Sequence, residues 1–409
     1  YAVIYGLFIV SIFLLISLPF HFVETINPEV LNTISTNALL NVVFFLIFVF
    51  FAFSFFGFYD LTIPSSLINK IDSKSNSFGG FVGVFFMALT LVLVSFSCTG
   101  PILGTLLVGT ITSQGGAIQL SMGMFGFGLA LALPFTLFAF FPKMLLSLPK
   151  SGRWMNTFKV ILGFFELAFA FKFLSNADLV QNWGLLRREI YIAIWIIISF
   201  LLFLYLLGVY KFPHESATLK RNKINFSLSL FCLVFAIYLI PAIFPGGSAS
   251  ARLLSGFTPP SFYSIYPSKT DCPLNLNCFK DFNKGLDYAQ KNNKPILLDF
   301  TGWACINCRR VEENVWTDPN IYDLINNNYV LISLYVDDRK ELKDEDKIEL
   351  SYESGKIKSI ETVGQRAATF QALNFKSASQ PFYVLLDNDL TILSKPIQYT
   401  SKEIYLNWL

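Results

Sequence analysis

PILLDFTGWACINCRR, residues 295–310, is the stretch on which the fold turns. PILLDF has the length and apolar continuity of a buried strand, and CINCRRVEENVW reads as the start of a helix. A C-x-x-C that opens a helix directly after a strand has a mechanical logic. The first sulfur meets the unpaired amides and the positive end of the helix dipole, which favour an anion. Cys305 is therefore expected to be exposed, partly thiolate near neutral pH and the attacking group. Cys308, one turn further in, is expected to be buried and to resolve the mixed disulfide. Asp299, six residues before Cys305, would lie beneath the pair and manage the proton of Cys308. Glu312 lies four residues after Cys308 on the same helix face and would join it. From the residues alone, each carboxylate is as well read as an ordinary charged side chain. Half a zinc site is the other reading of the motif. It lacks a second ligand pair, because the only histidines, His21 and His214, lie in or near apolar runs far from it.

Outward from this stretch the pattern is that of an alternating domain. FKDFNKGLDYAQKNNK reads as a helix before PILLDF, and YVLISLYVDD as a strand after the cysteine helix. GQRAATFQALN reads as another helix, PFYVLLDND and LTILSKPIQY as a hairpin, and a last helix follows. This order, βαβ then αββα, fits a thioredoxin-like α/β domain. In such a fold Pro381 falls where a cis-proline loop lies against the active sulfurs. Residues 339–363 read as a charged surface insertion. Cys272 and Cys278 flank a short loop, which favours a structural disulfide over a second redox pair.

The other half of the chain is different in kind. Of the 409 residues 54% are hydrophobic and only 14% charged, whereas soluble domains run at about 25% charged. Apolar runs close to bilayer length recur at 1–19, 39–58, 81–112, 119–141, 157–175, 189–210 and 225–244. The net charge of +3 and the lack of any base-reading motif exclude nucleic acid as a partner. Alternate loops hold Lys70 and Lys74, then Lys143, Lys150, Arg153 and Lys159, then Lys211, Lys220, Arg221 and Lys223. The intervening loops hold only Lys172, Arg187 and Arg188, so the first set is expected in the cytoplasm and the segment after Phe244 outside it. PGGSASARLLSGFTPPSFYS, residues 245–264, has the Gly, Pro and Ser content of a linker. The expected organisation is a polytopic α-helical membrane domain (1–244), a linker (245–270) and an α/β thioredoxin-like domain (271–409).

Within the membrane part, Cys98 lies mid-span and is followed by Thr99, Gly100 and Pro101. Gly100 and Pro101 break the helix there and free backbone groups, which is tolerated at membrane depth only against protein or water. From the residues alone, a buried packing cysteine beside a kink competes with a water-reachable redox cysteine. Cys232 has no helix-breaking neighbours and reads as core packing. Glu166 is an ionisable group inside a span, where it either assists proton movement or bonds a neighbouring helix. The first span is too long and uniform for a secretory signal, and the natural start is expected upstream of Tyr1.

FFGFYDLTIPSSL (55–67), SCTGPILGTLLVG (97–109), LPKSGRWMNTFKVILGF (148–164) and DFTGWACINCRRVEENVW (299–316) together resemble the DsbD family of thiol:disulfide interchange proteins. The likeness extends over nearly the whole chain, with one local departure: Ala304 separates Trp303 from the first cysteine. It implies that Asp299 and Glu312 are the family's two acidic residues beside the active cysteines, and that Cys98 is one of its two membrane cysteines. The partner of Cys98 would lie in a span before Tyr1, so this stretch alone does not complete the membrane disulfide. The family's N-terminal extracytoplasmic domain, itself a partner, would also lie outside it. The implied activity is disulfide reduction in the bacterial inner membrane, with the C-terminal domain in the periplasm. Cytoplasmic thioredoxin would be the electron donor and extracytoplasmic disulfide proteins the acceptors. The cysteine pairs would be the only carriers, with no further cofactor and no metal. A quinone-linked oxidase that makes disulfides and a thioredoxin-like domain merely tethered to the bilayer are the alternatives.

Overall fold

The computed structural model describes residues 2–24, 36–59, 83–85, 88–89, 92, 116–140, 152–213, 223–266, 270–351 and 357–409. Among the described residues, six apolar helices form most of the first part: α1 Ala2–Glu24, α2 Ala38–Phe55, α3 Gly116–Phe140, α4 Gly152–Gln181, α5 Arg188–Leu206 and α6 Lys223–Leu239. They correspond to the expected spans except that at 81–112, most of which lies outside the described residues together with Cys98, Gly100 and Pro101. Helices α2, α5 and the run Lys223–Ile243 are each long and apolar enough to cross a bilayer. Their outer faces carry exposed Leu46, Phe50, Phe53, Ile197, Phe200, Phe231 and Val234, side chains suited to a lipid solvent. Helix α4 runs past the expected end of its span to Gln181, so Lys172, read as a loop charge, is a buried helical residue.

The chain divides into two compact units. In the first, α1 and α3 pack together through Ile9, Phe13, Met124 and Ala132. Small residues admit the close approach: a Cβ on Gly128 would lie 3.3 Å from the Phe13 side chain. Ser17 and Ser121 share a hydrogen bond across the pair (3.1 Å). Phe56, Phe164, Tyr205 and Phe212 form an aromatic cluster in the same unit, with Phe56 and Phe212 stacked at 4.7 Å.

The second unit contains the α/β domain. Its four-stranded sheet is ordered β1 (Cys278–Phe279), β3 (Val330–Tyr335), β2 (Ile296–Thr301), β6 (Phe382–Leu386), with β1–β3 and β2–β3 parallel and β2–β6 antiparallel. Strands β2, β3 and β6 are buried throughout, as continuous apolar strands covered on both faces should be. One face packs Ile296, Leu298, Phe300, Ile332 and Val384 against α7 (Phe282–Asn292) and α10 (Val363–Phe375). The other packs Leu297, Leu331 and Leu385 against α8 (Ile306–Asn314), α9 (Pro319–Asn328) and α11 (Lys402–Trp408), with Trp316 at its centre.

Trp316 is fully buried and donates its indole N–H to the Tyr405 hydroxyl (3.0 Å). Trp316→Ala is expected to cost about 3–5 kcal/mol and to show as an earlier urea midpoint in pulse proteolysis.

Four features of this domain differ from the sequence expectation: helix α9 was not foreseen, and the other three concern strands. The short edge strand β1 was not foreseen. The expected hairpin has only one full strand, because residues 391–397 reach β6 through isolated pairings at Leu386–Ile392 and Tyr383–Ile397. Pro396, with no N–H to give, interrupts the ladder between them. The insertion 339–363 folds into a hairpin of its own, β4 (Ile348–Ser351) with β5 (Ile357–Ile360). It leads into a capping box in which Thr362 and Gln365 start α10.

Candidate active site

Strand β2 carries the chain from the core to Thr301 at the end of the sheet, and a tight turn at Gly302 then delivers the cysteines. A Cβ on Gly302 would come within 2.9 Å of Asp337 Oδ2 and 3.2 Å of Cys305 Cβ, so any larger residue there must displace the Asp337 carboxylate. Asp337, just past β3, fixes the turn by accepting the amides of Trp303 (2.7 Å) and Ala304 (3.0 Å). Cys305 then caps α8: its Sγ accepts the Cys308 amide at 3.1 Å, and the two sulfurs are joined as a disulfide. Cys305 is partly exposed, whereas Cys308 is 1% exposed.

The helix that follows the disulfide shares a buried charge cluster with Asp299 of β2. Asp299, on β2 opposite Ser333 and Tyr383, is 1% exposed. Its Oδ2 accepts the Ser333 hydroxyl (3.1 Å) and its Oδ1 has no partner among the described residues. Burial pushes its carboxyl up to about 7, with the Ser333 hydrogen bond and Arg309 opposing. Glu312 lies 2.6 Å from the Arg309 guanidinium. Burial raises it to about 8; Arg309 opposes, and the nearby Asp299 and Glu313 charges add to the rise. Arg309 is itself 2% exposed and also donates to Thr301 Oγ1 (3.2 Å) and to the Gly302 carbonyl (3.3 Å). One guanidinium thus ties Glu312 to the turn that presents the cysteines, and its charge also acts on Asp299. The Gln380–Pro381 peptide bond is cis. Pro381 sits one residue beyond the Phe300–Phe382 pair, at the end of the sheet from which the cysteine turn leaves.

Arg309, Asp337, Ser333 and an aromatic group around Trp303 were not singled out from the sequence. Trp303 stacks on Tyr335 at 4.3 Å and donates to Asp338. The Lys280 ammonium sits 5.0–5.6 Å from the rings of Phe262, Trp303 and Tyr335. Arg309 adjoins the second cysteine, and Asp337 follows a buried strand in YVDD; these were the available signals. Lys280 had none, since a paired edge strand two residues long places it. The Cys272–Cys278 disulfide closes the loop that leads into that strand. Cys232 is a free, buried cysteine in α6. Glu166, in α4, is buried, and neither carboxylate oxygen has a partner among the described residues.

A C-x-x-C disulfide capping a helix on a mixed four-stranded sheet, in a chain that also carries membrane-length apolar helices, defines a membrane protein with a thioredoxin-like domain. Residues 13–177 match the cytochrome c biogenesis protein transmembrane domain family, and residues 277–356 match a thioredoxin-like family. The thiol:disulfide interchange protein DsbD of Campylobacter jejuni (strain RM1221) is 29% identical over 296 residues, covering 72% of this chain and 47% of its own. DsbD 1 of Pseudomonas aeruginosa is 28% identical over 281 residues (67% and 44%), and DsbD of Salmonella typhi 27% over 294 (70% and 45%). Among solved structures, DsbH oxidoreductase aligns with 35% of this chain and 88% of its own at 16% identity and a TM-score of 0.24. Over both of its parts the chain is similar to the DsbD thiol:disulfide interchange proteins. It spans about half the length of the curated relatives it matches.

Proposed function

We propose that this chain is the membrane and outlet part of a protein-disulfide reductase. Electrons from cytoplasmic thioredoxin pass by thiol exchange through a membrane cysteine pair that includes Cys98, then through Cys305 and Cys308, to extracytoplasmic disulfide proteins. The observation that carries this reading is the helix-capping cysteine pair, accompanied by two buried carboxylates whose affinity for protons is raised into the neutral range. The membrane would be the bacterial inner membrane, with residues 271–409 on its periplasmic side.

In the outlet step the Cys305 thiolate attacks one sulfur of the substrate disulfide, and the other leaves as a thiolate and takes a proton. Cys308 gives its proton to Asp299 and attacks Cys305 Sγ. The second substrate sulfur leaves as a thiolate, and the Cys305–Cys308 disulfide closes. Two electrons have moved to the substrate. Glu312 and Arg309 hold the charge balance as Asp299 gains and loses its proton, and Pro381 bounds the surface on which the substrate lies. The direction is downhill: a donor near −270 mV against an acceptor near −120 mV gives about 7 kcal/mol for two electrons.

Cys98 decides between a relay and a tether, because thiol exchange is contact chemistry and cannot cross an apolar slab of about 30 Å unaided. In cells carrying the full-length protein, Cys98→Ala is expected to leave Cys305–Cys308 oxidised, as read by thiol trapping. A pair that stays reduced in this variant would sink the relay and favour the tether.

A further inference from the structure

The segment read as a linker packs against helices that precede and follow it in sequence. Ala251 and Leu254 are buried with Ile192 of α5, Leu239 of α6 and Ala242. Further along, the Tyr263 hydroxyl donates to Asp178 near the end of α4 (2.9 Å) and accepts the Gly184 amide (2.8 Å). Glu189 of α5 accepts the Ser264 hydroxyl and the Ile265 amide. Both ends of the 255–263 strap are therefore anchored on the helices.

Between those anchors the strap lies on the redox helix. Gly256 has φ +81°, and a Cβ there would come 2.8 Å from Ile306 Cγ2 and 2.9 Å from the Ile306 carbonyl oxygen. The Gly256 amide donates to Glu313 (3.3 Å), and Asn314 donates to Ser255 (2.9 Å). Arg188, 3% exposed, bridges strap and helix by donating to the Pro259 carbonyl (2.7 Å) and to Glu313 (3.2 Å). On the other side of the cysteine, Leu179 and Val180 of α4 pack with Trp303, Tyr335 and Ala304. The residue before Cys305 and the residue after it are thus both covered by segments outside the α/β domain, while Cys305 itself stays partly exposed.

A protein disulfide must bring its sulfur into line with Cys305 Sγ, and its backbone then lies against the residues on either side. A small thiol reagent needs only the sulfur. We propose that the 255–263 strap and the end of α4 form a displaceable cover on the Trp303–Ile306 surface, which a disulfide-bearing protein also needs. Because the cover is anchored at both ends, the α/β domain must lift off it to meet such a partner. The contacts that hold it are one ion pair, a few hydrogen bonds, a glycine contact and the packing of Leu179, Val180 and Phe262 on Trp303, a local interface that can open without global unfolding. The inference rests on the outlet role of Cys305 and adds that docking and substrate binding exclude each other.

The test uses the full chain with Cys308→Ala, reduced in nanodiscs. Cys305 is alkylated with N-ethylmaleimide or with a polyethylene-glycol maleimide, read on its peptide by mass spectrometry and normalised to glutathione. The bulky reagent is expected to lag the small one by about tenfold or more, the signature of a mostly closed equilibrium. Glu313→Arg, which repels Arg188, and Gly256→Val, which has no room against Ile306, are each expected to bring the ratio close to one. The small-reagent rate is expected to stay within about twofold. A ratio near one in the parent, or an unchanged ratio in the Glu313→Arg protein, would overturn the cover. Alkylation of Cys305 by the small reagent no faster than glutathione would count instead against its role as an activated outlet thiol, and the size ratio would still decide the cover.

Discussion

Cys305→Ser is expected to bring reduction of a protein disulfide down to the uncatalysed rate, a loss of several orders of magnitude, because a hydroxyl at the helix cap supplies no nucleophile at neutral pH. The structure separates the two sulfurs by exposure as well as by position. Cys305 is reachable and accepts an amide of its own helix, an arrangement that stabilises negative charge on sulfur. Cys308 is almost fully buried, so it reaches only a sulfur already bonded to Cys305. Cys308→Ala should therefore keep the first attack and lose the second, leaving substrate proteins bonded to Cys305 on a non-reducing gel. Sustained turnover by Cys305→Ser, or no trapped adduct with Cys308→Ala, would contradict the assignment of roles.

Asp299→Asn is expected to slow release of the mixed disulfide at pH 7 by about a hundredfold, the low end of the range for loss of a positioned base. The pH profile carries the sharper sign. As the proposed acceptor of the Cys308 proton, Asp299 would act only when ionised; burial pushes its carboxyl up to about 7, so the native rate should rise as pH increases through that value. Without it, the rise should move toward the ordinary thiol range near 8.5. Stability moves the opposite way. A carboxyl whose folded value is raised binds more protons folded than unfolded, so native stability falls as pH rises from about 4 to about 7. Asp299→Asn removes that penalty, worth a few kcal/mol above pH 7 and nothing below pH 4. A variant that lost activity and stability in parallel at every pH would point to a structural role alone.

The redox centre was legible because its logic is local. A strand, a glycine turn and a helix start lie within sixteen consecutive residues, and the capping role of Cys305 follows from its place at the first turn. Apolar runs of bilayer length needed only composition. The buried environment of Asp299 was less accessible: PILLDF marks a buried strand, but the register that sets Asp299 opposite Ser333 and Tyr383 comes from pairing with strands over thirty and over eighty residues away. Arg309 looked like one of two arginines on a surface helix. Only packing shows that it is buried while its neighbour Arg310 is exposed.

The linker shows where composition misleads. Gly, Pro and Ser in residues 245–264 describe a chain that lacks a regular element, which is also what an ordered strap needs when it must pass within contact of a helix. Gly256 takes a left-handed conformation there and fits against Ile306, and neither property is readable without the partner surface.

By itself, the sequence determined the two kinds of solvent this chain meets, the strand–turn–helix that carries the Cys305–Cys308 pair and the α/β class of the domain around it, since each depends on periodicity, composition or spacing within a few turns. Tertiary structure alone decided which charges are buried around the redox helix, how Lys280 reaches the aromatic group beside it, and that an anchored strap lies across that helix. Those depend on burial and on contacts between distant segments, and free energies of that kind exist only once the surfaces have met.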